Sequence, residues 1–129
     1  MIGYVTLGTD DLDRSRAFYD ALFGEIGASR LMEMDSGFTL YGVSWGKPEV
    51  AVTRPHDGQP ARAGNGNMVS LAMDERGKVD RFHARALELG GSDEGAPGLR
   101  GPDGDRAFYG AYFRDPDGNK LCAFKMGPE

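Results

Sequence analysis

The chain has 129 residues, a length that gives one domain able to bury a real core without staples. Its 15 basic and 20 acidic residues leave a net charge of −5 with no clustered basic face, which excludes nucleic acid and other polyanions as partners. No apolar run approaches the ~20 residues of a membrane span, no basic leader precedes Tyr4, and the lone Cys122 can close no internal disulfide. A cytoplasmic protein with no membrane partner is expected.

In chain order, Ile2 to Leu7 is β-rich and stops at Gly8. Asp10 or Asp11 then caps a helix that begins near Leu12, in which Phe18, Leu22 and Ile26 recur on one face until Gly24 and Gly27 end it. Phe38 to Val43 and Val50 to Val52 read as strands split by Gly46-Lys47-Pro48. A polar, turn-rich stretch from Arg54 through Gly66 reads as a connection. A second helix near Glu75 to Leu89 keeps Val79, Phe82, Ala86 and Leu89 on one face and ends at Gly90-Gly91. Tyr109 to Phe113 and Leu121 to Phe124 are strands around the tight turn Asp115-Pro116-Asp117-Gly118-Asn119. Between them, Ser92 to Arg106 is glycine-rich and without period. It reads either as a lid, with Leu99 as an apolar plug and Arg100 or Arg106 as anion donors, or as a plain surface loop.

The second half repeats the first. An ungapped shift of 64 positions sets Val5 on Val69, Leu7 on Leu71, Asp10 on Asp74, Phe18 on Phe82 and Gly27 on Gly91. These are the residues that a strand, a helix cap, a packing face and a helix stop require. The expected organisation is a single domain over 1–129, with a first module over about 1–54, a connection over 55–66 and a second module over about 67–129.

Tyr4-Val5-Thr6-Leu7, the helix opening Asp11-Leu12-Asp13-Arg14-Ser15-Arg16-Ala17-Phe18-Tyr19 and the run Tyr112-Phe113-Arg114-Asp115-Pro116-Asp117-Gly118-Asn119-Lys120-Leu121 resemble the vicinal oxygen chelate superfamily of glyoxalases, bleomycin-resistance proteins and extradiol dioxygenases. The resemblance covers essentially the whole chain. It implies an α+β fold of two βαβββ modules forming a curved mixed sheet, with helices outside and a central cavity. It further implies a homodimer and a small organic ligand.

Strand alternation assigns residues to that cavity. With Val5, Leu7, Val69 and Leu71 under the helices, Tyr4, Thr6, Met68 and Ser70 take the concave face, joined by Glu49 and Ala51 and by Cys122 and Phe124. Metal-dependent members of the superfamily hold a divalent ion with one ligand from each of four strands, usually histidine or glutamine, glutamate, histidine and glutamate. Those places fall here on Tyr4, near Ala51, on Met68 and on Cys122. Alanine has no donor atom and a thioether is a weak, soft one, so no metal or other cofactor is expected. The reading that follows is a small-molecule-binding protein. The alternative is a glyoxalase-like lyase or isomerase or a dioxygenase, with non-standard metal ligands or with Tyr4 and Glu49 in metal-free acid–base roles. His56 and His83 read as solvated or half-buried, and Trp45 as a cavity wall or dimer contact.

Overall fold

A computed structural model describes residues 1–129. The chain divides into two compact units, Met1–Ala63 and Gly64–Glu129. In the first, β1 (Tyr4–Gly8), α1 (Leu12–Gly24), β2 (Ser29–Glu33), β3 (Thr39–Gly42) and β4 (Glu49–Thr53) follow in order. In the second, β5 (Val69–Ala72), α2 (Arg76–Glu88), β6 (Ser92–Leu99), β7 (Phe108–Arg114) and β8 (Lys120–Met126) repeat that order. Each unit holds a four-stranded mixed sheet, β1-β4-β3-β2 and β5-β8-β7-β6, in which the first and last strands of the unit run parallel. The architecture is α+β with two βαβββ units, and neither sheet closes into a barrel.

In the first unit, α1 lays Leu12, Phe18, Tyr19, Leu22 and Phe23 on the sheet, where Leu7, Tyr41, Val50 and Val52 complete the core. Tyr19 and Phe23 lie 4.9 Å apart between ring centroids, and Phe23 meets Tyr41 edge-on at 5.5 Å. The buried Tyr41 hydroxyl donates to Asp20 Oδ1 at 2.9 Å, and Arg30 on β2 grips the same carboxylate with two bonds of 2.8 and 2.7 Å while also contacting Glu33. Helix, inner strand and edge strand are thereby tied through one carboxylate. In the second unit, Val79, Phe82 and Ala86 of α2 pack on Phe113, Leu121 and Ala123. His83 is buried beside Phe113 and its Nε2 lies 3.0 Å from Asp93 Oδ1, so it is a core residue anchored at one end.

The helix ends correct two details of the repeat. Asp11, not Asp10, is the N-cap of α1 and accepts from Arg14 N at 3.0 Å, whereas Asp10 accepts from Ala61 N at 2.7 Å. Asp74 does not cap α2 either. The N-cap is Glu75 with no side-chain cap bond, and Asp74 pairs with Lys78 at 2.7 Å. At the other end, Gly27 (φ +74°) and Gly90 (φ +104°) occupy the left-handed position that stops each helix. Their neighbours Ala28 and Gly91 return N–H bonds to Phe23 O and Ala86 O at 3.0 and 2.9 Å, the Schellman pattern. The equivalent stops are therefore Gly27 and Gly90, one residue off the shift of 64. Gly91 is needed for another reason, since a Cβ there would lie 2.8 Å from the carbonyl oxygens of Ala86 and Arg114.

Two strands lie where no strand was expected. β2 falls in a stretch without clear alternation, and a bulge between Arg30 and Met32 breaks its period. The segment Ser92 to Arg106 is not a free loop, because Ser92–Leu99 forms β6, an edge strand that reaches its partner β7 through two register shifts. Glycine and proline are tolerated there because an edge strand needs one row of partners and bulges absorb the misfits. Arg100 is also committed. Its guanidinium donates to Gly98 O and Ala96 O at 3.0 and 2.7 Å and lies 5.4 Å from the Tyr112 ring centre, which removes it from the role of anion donor on a lid.

Candidate functional site

The register of the first sheet decides which side chains share a face. Tyr4 pairs with Glu49, Thr6 with Ala51 and Gly8 with Thr53, while Ala51 also faces Leu40 and Leu40 faces Met32. These residues lie opposite α1, whose side of the sheet is taken by Leu7, Tyr41, Val50 and Val52. The connection that leaves β4 folds back over the same face. It is pinned by the Ala61 N–H on Asp10 and by Ala61 Cβ, which comes to 3.4 Å of where a side chain on Gly8 would begin.

Sheet face and connection enclose an open cleft of about 970 Å³, inside the usual size range of small-molecule sites. Its wall is apolar, with Tyr4, Met32, Met34, Phe38 and Leu40, and Tyr4 stands edge-on to Phe38 at 5.7 Å. Thr6, Ser36, Thr53 and Gln59 add hydrogen-bonding groups, and Arg54, His56, Asp57 and Arg62 of the connection supply the charged and titratable ones. Two methionines in one wall give a surface that adjusts to ligands of differing shape.

Of the residues assigned to the cavity from alternation, Tyr4 and Thr6 line this cleft and are exposed, Tyr4 at 55%. Ala51 lies on the same face but is fully buried. Glu49 lies next to Tyr4 on that face and outside the cleft lining, with its chain against Gly42 and its Oε1 buried without a hydrogen-bond partner. The other four belong to the second unit. Ser70, Cys122 and Tyr112 form one cross-strand row and Ala72, Phe124 and Gly110 the next. Met68, just before β5, is 43% exposed and Ser70 is exposed, whereas Cys122 is fully buried. Burial pushes the Cys122 thiol up, partly offset by hydrogen bonding to Ser70, so it is a core thiol and not a thiolate nucleophile. Phe124 stacks on Phe108 at 5.3 Å with rings nearly parallel at 7°.

Trp45 is exposed and lies outside the cleft lining, while His56 is part of it. Met32, Met34, Phe38, Leu40 and the cations of the connection are the cleft residues that sequence reasoning missed. A legible signal existed in the i, i+2 spacing of Met32 and Met34 before the turn glycine Gly37. The bulge in β2 hid it.

Of the residues at or near the places to which the resemblance assigns metal ligands, Tyr4, Ala51, Met68 and Cys122, Ala51 offers no donor and Cys122 is a buried thiol with a raised pKa. No group of three or more histidine, cysteine, aspartate or glutamate side chains in the structure is placed to hold an ion. The donor set does not fit the divalent site of the fold.

A family model described as the Glyoxalase/Bleomycin resistance protein/Dioxygenase superfamily matches residues 1–123. A glyoxalase/bleomycin resistance protein from Albidiferax ferrireducens T118 is 37% identical, with 98% of this chain and 99% of that one covered at a TM-score of 0.85. Two more distant crystal structures share the fold. A family enzyme from Burkholderia phytofirmans PsJN is 18% identical at a TM-score of 0.71, covering 96% of this chain and 97% of that one. A lactoylglutathione lyase from Agrobacterium tumefaciens is 21% identical at 0.65, covering 97% and 92%. A search of curated proteins gave no match. No helix is long and apolar enough to cross a membrane.

Proposed function

Because the chain belongs to the glyoxalase/bleomycin resistance protein/dioxygenase superfamily, we propose that it binds a small organic molecule in the cleft of its first unit and does so without the divalent metal of the catalytic members. The observation that carries this reading is the donor chemistry at the four ligand places, Tyr4, Ala51, Met68 and Cys122, set beside an intact cleft of about 970 Å³ with an apolar wall. Such a site holds its occupant by burial of apolar surface, with Thr6, Ser36 and Thr53 orienting it through hydrogen bonds.

A second reading has one observation in its favour. The buried Glu49 Oε1 lacks a hydrogen-bond partner next to the exposed Tyr4, a carboxylate and phenol pair of the kind that general acid–base chemistry uses. The binding reading is tested by calorimetry and elemental analysis with nickel, zinc, iron and manganese. The binding reading expects no site tighter than micromolar. One equivalent bound at micromolar affinity or tighter would replace it with a metal-dependent enzyme.

A further inference from the structure

We propose that the occupant of the first-unit cleft is an amphipathic organic anion, its apolar body against Met32, Met34, Phe38 and Leu40 and its anionic group on Arg54 and Arg62. This rests on the binding reading above and names the chemical class that the cleft selects.

The charge of the cleft opposes the charge of the protein. The chain carries −5, yet the charged cleft residues are Arg54, Arg62 and Asp57, two cations against one anion. The anion is held within its own loop, since Asp57 Oδ1 accepts from Gln59 N at 3.0 Å. The cations are not matched. Ion pairs in this protein occupy Arg30, Arg76, Lys78, Arg81, Arg85 and Arg114, whereas Arg54 and Arg62 have no carboxylate partner. In an acidic protein with a surplus of carboxylates, two unpaired arginines in one cleft are available to a ligand.

Arg54 is also positioned. Its Nη1 lies 3.2 Å from the point where a Cβ on Gly37 would sit, so the guanidinium packs against the bare backbone of the β2–β3 turn. That turn needs glycine twice over, for its φ of +98° and because a Cβ would lie 2.6 Å from Leu12 Cδ2. The same turn carries Met34, Ser36 and Phe38 into the cleft, which sets the Arg54 fork beside the apolar wall. Planar donors next to an apolar wall match a carboxylate, sulfonate or phosphate joined to a hydrophobic body.

The test uses the full chain and two dyes that differ by one charged group, 1-anilinonaphthalene-8-sulfonate and the neutral N-phenyl-1-naphthylamine. Both are titrated by fluorescence at low and high salt into the native protein and into an Arg54→Gln/Arg62→Gln variant, whose fold is checked by circular dichroism. Both arginines are on the surface or rim, so the variant should fold. The expected result is that the native protein binds the sulfonate about tenfold more tightly than the neutral dye, the scale of one charge-assisted hydrogen bond. That advantage is expected to disappear in the variant and to shrink with salt, while neutral-dye affinity stays level. Equal affinities in the native protein would overturn the anion proposal and leave the binding reading standing. A sulfonate preference that survives in the variant would also overturn it. Failure of both dyes to bind would count against the binding reading itself, and the anion proposal would fall with it.

Discussion

Replacing Tyr41 with phenylalanine tests whether the carboxylate of Asp20 ties the first unit together. The substitution keeps the ring in its aromatic cluster and removes one hydroxyl, which donates to Asp20 Oδ1 at 2.9 Å. A hydrogen bond to a charged acceptor contributes about 1.5–3 kcal/mol, but Asp20 is 43% exposed and already holds Arg30, so solvent screening brings the contribution to the bottom of that range or just below it, about 1–1.5 kcal/mol. For a chain of this size that corresponds to roughly 3–8 °C in Tm. Burial tends to raise the Asp20 carboxyl, but hydrogen bonds from Arg30 and Tyr41 outweigh it and hold the group below the usual carboxylate range. A depressed folded pKa contributes stability that is present above the unfolded value and lost as pH falls through the folded one. The penalty of Tyr41→Phe should therefore be full at pH 7 and shrink in strongly acidic solution, where the acceptor becomes neutral. Urea denaturation followed by circular dichroism at pH 7 and at pH 3 measures both, with Tyr41→Phe/Asp20→Asn closing the double-mutant cycle. A loss below about 0.3 kcal/mol at pH 7, or one independent of Asp20, would refute the reasoning.

Phe82→Ala in the second unit removes a buried ring packed 6.0 Å from Phe113 and should cost about 3–5 kcal/mol by chemical denaturation, many times the effect of any exposed substitution. Cys122, buried and with its thiol raised, should react with a disulfide reagent at pH 8 at least about a hundredfold more slowly in the native protein than in denaturant; comparable rates would mean that the strand opens locally. Exposed Tyr4, Trp45 and Met126 and the open strand edges lead us to expect a homodimer, and light scattering that gives a monomer at micromolar concentration would end that expectation.

What could be read from the sequence was whatever kept its period. Both helices were legible because Phe18 and Leu22, like Val79, Phe82 and Ala86, return at helical spacing to a buried face, and because a left-handed glycine follows each one. β1 and β4 were legible because leucine and valine alternate onto the helix side, and that same alternation put Tyr4 and Thr6 on the cleft side. β2 and β6 were not. Each is the outermost strand of its sheet and each contains register shifts, so neither had to keep a period of two or a β-rich composition. Losing β2 meant losing Met32 and Met34 from the site. Arg54, His56 and Arg62 lie on irregular backbone, where no periodicity says which way a side chain faces.

The irregularity of β6 has a further consequence for the protein in a crowded solution. A regular outer strand exposes a row of unpaired amides and carbonyls on which another chain can crystallise its own backbone. Ser92–Leu99 spoils that template twice over: two register shifts interrupt the spacing, and Pro97 has no N–H to offer. On the first sheet, Arg30 and Glu33 of β2 bring charge of both signs to the corresponding border. The segments that look least like strands are thus the ones standing guard against fibre growth.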